Sequence, residues 1–151
     1  MSAGAPAWQR VSAQEAALLL MGEGYVYLDV RTEQEFALGH PGGAYNVPWL
    51  VEGELGREAN PDFLRVVEST FAHDVKLVVG CHTGNRSQAA SVQLTAEGFH
   101  VVELRAGYAG SRDPFGRVTE RGWQAFALPT ESESLPGHDY ASLRARAEQK
   151  Q

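Results

Sequence analysis

The sequence predicts an α/β fold on a central, mainly parallel, five-stranded sheet. Three observations point there. Short runs rich in β-branched and aromatic residues alternate with segments of helical period, the order in which βαβ units are built. Two helical segments open on capping boxes, Ser12-Ala13-Gln14-Glu15 and Thr32-Glu33-Gln34-Glu35, which mark where strand gives way to helix. Asp29 and Cys81 stand at the carboxyl ends of two apolar runs, the edge of a parallel sheet where ligand sites lie.

Trp8 to Val11 reads as a short first strand, followed by an Ala/Leu-rich helix to about Met21 that Gly22 and Gly24 end. Tyr25 to Val30 is the second strand. The second capping box opens a short helix through Leu38, and Gly39-His40-Pro41-Gly42-Gly43 is a turn cluster with His40 as its anchor. Ala44 to Val47 is a short strand stopped by Pro48. Asn60-Pro61 has the form of a helix start, with Asn as cap and Pro at the first helical position. Phe63, Leu64, Val66, Val67 and Phe71 then give a helical apolar stripe. Val75 to Gly80 is the strongest strand, Ser87 to about Glu97 a helix stopped by Gly98, and Phe99 to Leu104 the last clear strand. Gly110 to Gly122 reads as a long loop, Thr130 to Asp139 as a loose stretch, and Tyr140 to Gln151 as a short helix with a solvated charged face. Trp8, Trp49 and Trp123 read as core or rim packing.

A chain of 151 residues, 43% hydrophobic, is one domain's worth of sequence. Its formal net charge of −6 argues against nucleic acid as a partner. The single cysteine excludes an internal disulfide, a Cys-rich zinc site and a resolving cysteine in the same chain. No cluster has metal-ligand spacing, and neither metal nor cofactor is expected. Met1 to Arg10 lacks the basic start and apolar core of a signal peptide. Leu18 to Met21 is too short to cross a bilayer, so no membrane association is expected and a cytoplasmic location is the default.

The chemistry concentrates at Cys81. Its apolar strand ends at Gly80, the loop Cys81-His82-Thr83-Gly84-Asn85-Arg86 follows, and a helix begins about Ser87. A strand–loop–helix seam turns backbone N–H groups and a helix N-terminus on the sulfur, and both favour the thiolate. Arg86 adds a fixed positive charge. The pattern describes a nucleophilic sulfur that handles anions.

Three segments resemble single-domain rhodanese-type sulfurtransferases. The first is Leu28-Asp29-Val30-Arg31-Thr32, with Glu35-Phe36, Gly39-His40 and Ala44 to Pro48 behind it. The second is Cys81 to Ser87. The third is Gly98-Phe99, Val101 to Leu104 and Gly107-Tyr108. The resemblance implies a rhodanese-like parallel sheet flanked by helices on both faces, with Cys81 as the catalytic sulfur acceptor. His82, Thr83, Gly84, Asn85, Arg86 and Ser87 would form the substrate-binding loop. The implied partners are a small anionic sulfur donor and a thiol or protein acceptor, with sulfur carried as a persulfide. Arg86 would either hold the sulfite leaving group or form a structural salt bridge. Asp29 and Arg31 would be supporting residues, Asp29 ordering loops and Arg31 pairing with a nearby Glu. His82 would face solvent.

Cys81 to Arg86 counts six residues. By the same resemblance that length suits sulfur better than phosphate. A non-catalytic relay or binding module, and a phosphatase or arsenate reductase, are the alternatives. The loop also lacks the Gly-Val-Thr ending typical of mercaptopyruvate-type relatives, so the resemblance implies thiosulfate as the first donor. Two departures stand out. Pro41 follows His40 directly, and the segment Gly110 to Gly122 intervenes before Trp123. That insert would either cover the site and present Arg112 and Arg117 as a lid, or be a surface loop closed down by Phe115 and Trp123. The expected layout is one domain over residues 1–130 and an extension over 131–151.

Overall fold

A computed structural model of the chain describes residues 8–150. The reading of residues 1–7 as lacking a signal peptide lies outside them. Strand β1 (Gln9–Val11) leads into helix α1 (Ala13–Gly22), and β2 (Val26–Asp29) into α2 (Glu33–Leu38). Both capping boxes form. The Ser12 and Thr32 hydroxyls accept from the N–H groups of Glu15 and Glu35, and each carboxylate accepts from the cap's own N–H. Strands β3 (His40–Pro41), β4 (Tyr45–Asn46), β5 (Leu50–Gly53) and β6 (Gly56–Ala59) precede α3 (Phe63–Thr70). Then come β7 (Lys76–Gly80), α4 (Arg86–Ala96) and β8 (His100–Leu104). Strands β9 (Ser111–Arg112) and β10 (Val118–Glu120), a 3₁₀ turn at Trp123–Phe126, β11 (Thr130–Glu131) and α5 (Tyr140–Gln149) complete the order.

The main sheet has five strands in the order β1-β8-β7-β2-β4, every neighbouring pair parallel. A sheet buried on both faces needs apolar residues at successive positions, which is why its strands read as continuous runs. Leu28, Leu77, Val79 and Val101 face α3, α4 and α5, packing with Phe63, Val67, Leu94 and Leu143. Tyr27, Val78, Val102 and Leu104 face the other way, onto Ala13, Ala16 and Ala17 of α1, Phe36 of α2 and Trp123. Helices therefore cover both faces, as expected. The middle strand, β7, delivers Cys81 to the carboxyl edge between β2 and β8.

The structure departs from the sequence reading in four places. Leu50 to Ala59 forms an antiparallel hairpin that its sequence does not announce. β6 is exposed throughout, so no period-2 burial pattern marks it. Helix α3 starts two residues later than Asn60-Pro61 implies, with Asp62 at the cap position. The Asn60 side chain instead accepts from Asp62 N–H and donates to the Pro48 carbonyl and the Tyr140 hydroxyl, so it ties three segments together. Gly110 to Gly122 is not a structureless loop, because β9 and β10 pair antiparallel within it. The Asp113 carboxylate accepts from the N–H groups of Phe115 and Arg117 and closes the tip. Finally, His40–Pro41 is a short strand paired with β11. His40 is fully buried, stacks on Phe36, and bonds the Phe36 carbonyl and the Glu131 carboxylate, which gives its anchoring role a specific form. Among the described residues no helix is long and apolar enough to cross a membrane.

Candidate active site

Cys81 lies between the end of β7 and the N-terminus of α4 and is 1% exposed. Its Sγ accepts from the Gly84 N–H at 3.2 Å, and its thiol donates to the Ser87 hydroxyl at 3.3 Å. Gly84 makes that geometry possible. It sits at φ +103, and a β-carbon there would stand 2.2 Å from the Arg105 carbonyl oxygen. Only glycine lets the loop lie this close to the end of β8 with its N–H on the sulfur. From behind, the N–H groups of Tyr108 and Ala109 bond the Cys81 and His82 carbonyls at 2.8 and 2.9 Å. Gly107, at φ +68, permits that approach, since its β-carbon would be 2.6 Å from the His82 carbonyl oxygen.

Asp29 ends β2 directly beside Gly80 in the register. Arg31 pairs with it, and with no Glu as its sequence setting implied. The guanidinium bonds both Asp29 oxygens at 2.7–3.1 Å, donates to the Gly39 carbonyl at 2.7 Å, and lies 4.4 Å from the Tyr108 ring centroid. The pair links β2, the turn after α2 and the Tyr108 corner in one buried unit. Asp29 and Arg31 are two positions apart, one at the end of β2 and one just past it, and so satisfy each other more readily than a distant acid would.

Glu35, which already caps α2, takes Arg86. The two terminal nitrogens of Arg86 bond its two oxygens at 2.7 and 2.9 Å, a bidentate fork. Half-burial works to raise the Glu35 pKa, but Arg86 and the Thr32 cap outweigh it and hold it at about 2. Of the two roles expected for Arg86, its fork geometry fits the salt bridge, while its charge still stands beside Cys81. His82 is exposed, as expected. Partial covering of its ring lowers its pKa against the pull of Glu35, with Arg31, Arg86 and Arg112 adding to the lowering.

Sequence reasoning missed Glu103. It is fully buried in β8, between apolar neighbours. Alternation along β8 sends Val102 and Leu104 to one face and Glu103 to the face of α4. There its Oε2 accepts a close hydrogen bond from the Ser87 hydroxyl, and its Oε1 accepts from Arg10 Nε at 2.6 Å. The signal was an acid inside the run Val101-Val102-Glu103-Leu104. A buried charge of that kind needs a partner, and a partner points to a site.

Two cavities flank the loop. One of about 270 Å³ is lined by His82, Arg31, Leu38 and Tyr108. The other, of about 480 Å³, is lined by Thr83, Gly84, Asn85, Arg10, Arg105 and Arg112. The insert thus brings Arg112 beside the loop, whereas Arg117 lies exposed on the hairpin and outside that lining. Among the described residues no group of three His, Cys, Asp or Glu side chains gathers as a metal site.

Residues 12–113 match the rhodanese-like domain family, and the chain belongs to it. It is 40% identical over 122 residues to thiosulfate sulfurtransferase 16, chloroplastic, of Arabidopsis thaliana, a match covering 81% of this chain and 92% of that one. It is 42% identical over 90 residues to the mitochondrial protein HIGH ARSENIC CONTENT 1 of the same plant, covering 59% of this chain; there it spans about half of the relative's length, 53%. The crystal structure of Rv0390 from M. tuberculosis superposes with a TM-score of 0.67 at 25% identity, covering 83% of this chain and 98% of that one. Family membership and a relative named thiosulfate sulfurtransferase support sulfurtransferase activity in general.

Proposed function

We propose that this protein moves a sulfane sulfur from thiosulfate, or a donor of the same kind, to a thiophilic acceptor through a persulfide on Cys81. The Cys81 thiolate attacks the outer sulfur of the donor. The donor's S–S bond breaks, and sulfite leaves with the electron pair. A nucleophile such as cyanide, a small thiol or a protein thiol then attacks the terminal sulfur of the persulfide and returns the Cys81 thiolate. One observation carries this reading: Sγ sits within a six-residue loop, facing a backbone N–H and a hydroxyl at the start of α4. The Gly84 N–H supplies a field for sulfur anions in the manner of an oxyanion hole, and the Ser87 hydroxyl is the group to which the thiol donates. Arg112, on the rim of the larger flanking cavity, would raise the local potential for an anionic donor.

Intact mass before and after thiosulfate tests the proposal. The expected result is gain of one sulfur atom by the native chain and none by a folded Cys81→Ser variant. Thiocyanate should form on adding cyanide, while p-nitrophenyl phosphate should not be hydrolysed. A folded native chain that gains no sulfur from thiosulfate or other sulfane donors would overturn it.

A further inference from the structure

The Cys81 thiol is the first group in a hydrogen-bonded line that ends on a buried acid. Sγ–H donates to Ser87 Oγ, and Ser87 Oγ–H donates to Glu103 Oε2. Cys81 is 1% exposed and Ser87 and Glu103 are 0% exposed, so water does not compete for the proton along this line. We infer that Glu103 holds the Cys81 proton, passed through Ser87, while the sulfur is ionised. The inference rests on the reading of Cys81 as a nucleophile and assigns Glu103 a positioning role, since it reaches the sulfur only through Ser87.

The step balances without a co-reactant. The thiol proton moves to Ser87 Oγ as the Ser87 proton moves to Glu103 Oε2, and the polarity of the whole line reverses. Glu103 then donates to Ser87, and Ser87 donates to the thiolate. The sulfur keeps the Gly84 N–H and gains a second donor at the moment it becomes an anion. The electrostatics favour this route over loss of the proton to solvent. Release to water would leave a carboxylate and a thiolate, two like charges held against one buried hydroxyl, with the Arg10 guanidinium offsetting only one of them. Transfer leaves a single negative charge in both states. When a nucleophile takes the sulfur from the persulfide and thiolate returns, the same line gives the proton back.

The other charged and titratable groups near Glu103 and Cys81 are Arg10, Arg105, Tyr27 and, beside the sulfur, Arg86, whose guanidinium is forked on Glu35. Arg10 on β1 pairs with Glu103 and also donates to the Gly84 and Arg105 carbonyls at 3.4 Å. The Arg105 guanidinium is near enough for the two charges to interact but is bonded to Glu120. The Tyr27 phenol of β2 is near both Glu103 and Cys81, and burial holds its pKa well above the usual phenol value. From α4, Ser87 is the group that bonds Glu103.

An internal transfer has a signature that a structural carboxylate lacks. An isolated thiol loses its thiolate about tenfold per pH unit below its midpoint. A thiolate whose proton stays on Glu103 is present at a fraction independent of pH. The rate of alkylation by iodoacetamide, which does not itself titrate, reads this directly, because Cys81 is the only cysteine in the chain. The expected profile falls with unit slope and then flattens to a plateau on the acid side. Glu103→Gln should lower that plateau by about tenfold or more. Ser87→Ala, which leaves the Arg10–Glu103 pair in place, should do the same if the Gln variant fails to fold. A native profile of unit slope with no plateau, or a plateau unchanged in a folded variant, overturns the inference. Alkylation needs no sulfur donor, so the two readings fail separately. A plateau without sulfur uptake from thiosulfate would strike only the sulfurtransferase proposal.

Discussion

Glu35 joins two elements with one carboxylate. It completes the capping box of α2 and receives the fork of Arg86 from the start of α4. Its pKa, about 2, lies below the ordinary 4.5, so the ionised form is favoured by folding. A depressed carboxylate contributes stability in full above about pH 4.5 and loses it as pH falls toward 2. Glu35→Gln keeps an acceptor but not the charge, and should cost about 1 kcal/mol near neutrality, the gap between charged and neutral hydrogen bonds. Urea midpoints of the two proteins should differ by a constant amount from pH 5 to 7 and converge below about pH 4.5. A gap as wide at pH 3 as at pH 7 would mean that packing, not the ion pair, is lost. The same pairing explains why Arg86 looks like a donor-binding residue in sequence. Its spacing from Cys81 is visible there, whereas the carboxylate that occupies it is 51 positions away.

At the scale of elements, what was legible had a local cause. The two capping boxes and the buried strands β2, β7 and β8 are written in consecutive residues, and they form where the sequence places them. The Cys81 loop was legible for the same reason. The hairpins β5–β6 and β9–β10 were not, because their strands are half-buried or exposed and carry no burial period. Glu103 was hidden because its meaning depends on Ser87 and Arg10, neither adjacent in sequence. The β9–β10 hairpin carries a prediction of its own. It lays Arg112 beside Thr83 to Asn85 and leaves Arg117 exposed elsewhere. Arg112→Gln should therefore lose as much activity as a variant with both Arg112 and Arg117 replaced by Gln. One surface charge acting across water at this range is worth roughly a twofold change in kcat/KM for thiosulfate, fading as salt rises. If Arg117→Gln matters as much as Arg112→Gln, the hairpin acts through its general charge and not through that cavity.

Over the whole molecule, the last helix belongs to the same core as the reactive loop. Tyr140, Leu143 and Ala147 of α5 sit in one apolar cluster with Phe63, Val66 and Val67 of α3, with Leu94 of α4, and with Cys81 itself. Asn60 and Tyr140 add a buried hydrogen bond at 3.1 Å to that junction. The charged residues Arg144, Arg146 and Lys150 stay exposed on the other side, as a solvated face should. The helix therefore closes the face of the sheet on which Cys81, Ser87 and Glu103 lie. Leu143, 0% exposed, is the side chain whose loss isolates this contribution. Leu143→Ala should cost about 2–5 kcal/mol, the transfer and cavity terms of a buried leucine. Arg146→Ala, exposed on the same helix, should stay within about 0.5 kcal/mol of the native protein. Urea unfolding measures both. One transition with an unchanged slope in each variant would show α5 unfolding together with the sheet. A Leu143→Ala midpoint indistinguishable from native, or an early separate transition, would instead mean that α5 docks on a domain already complete without it.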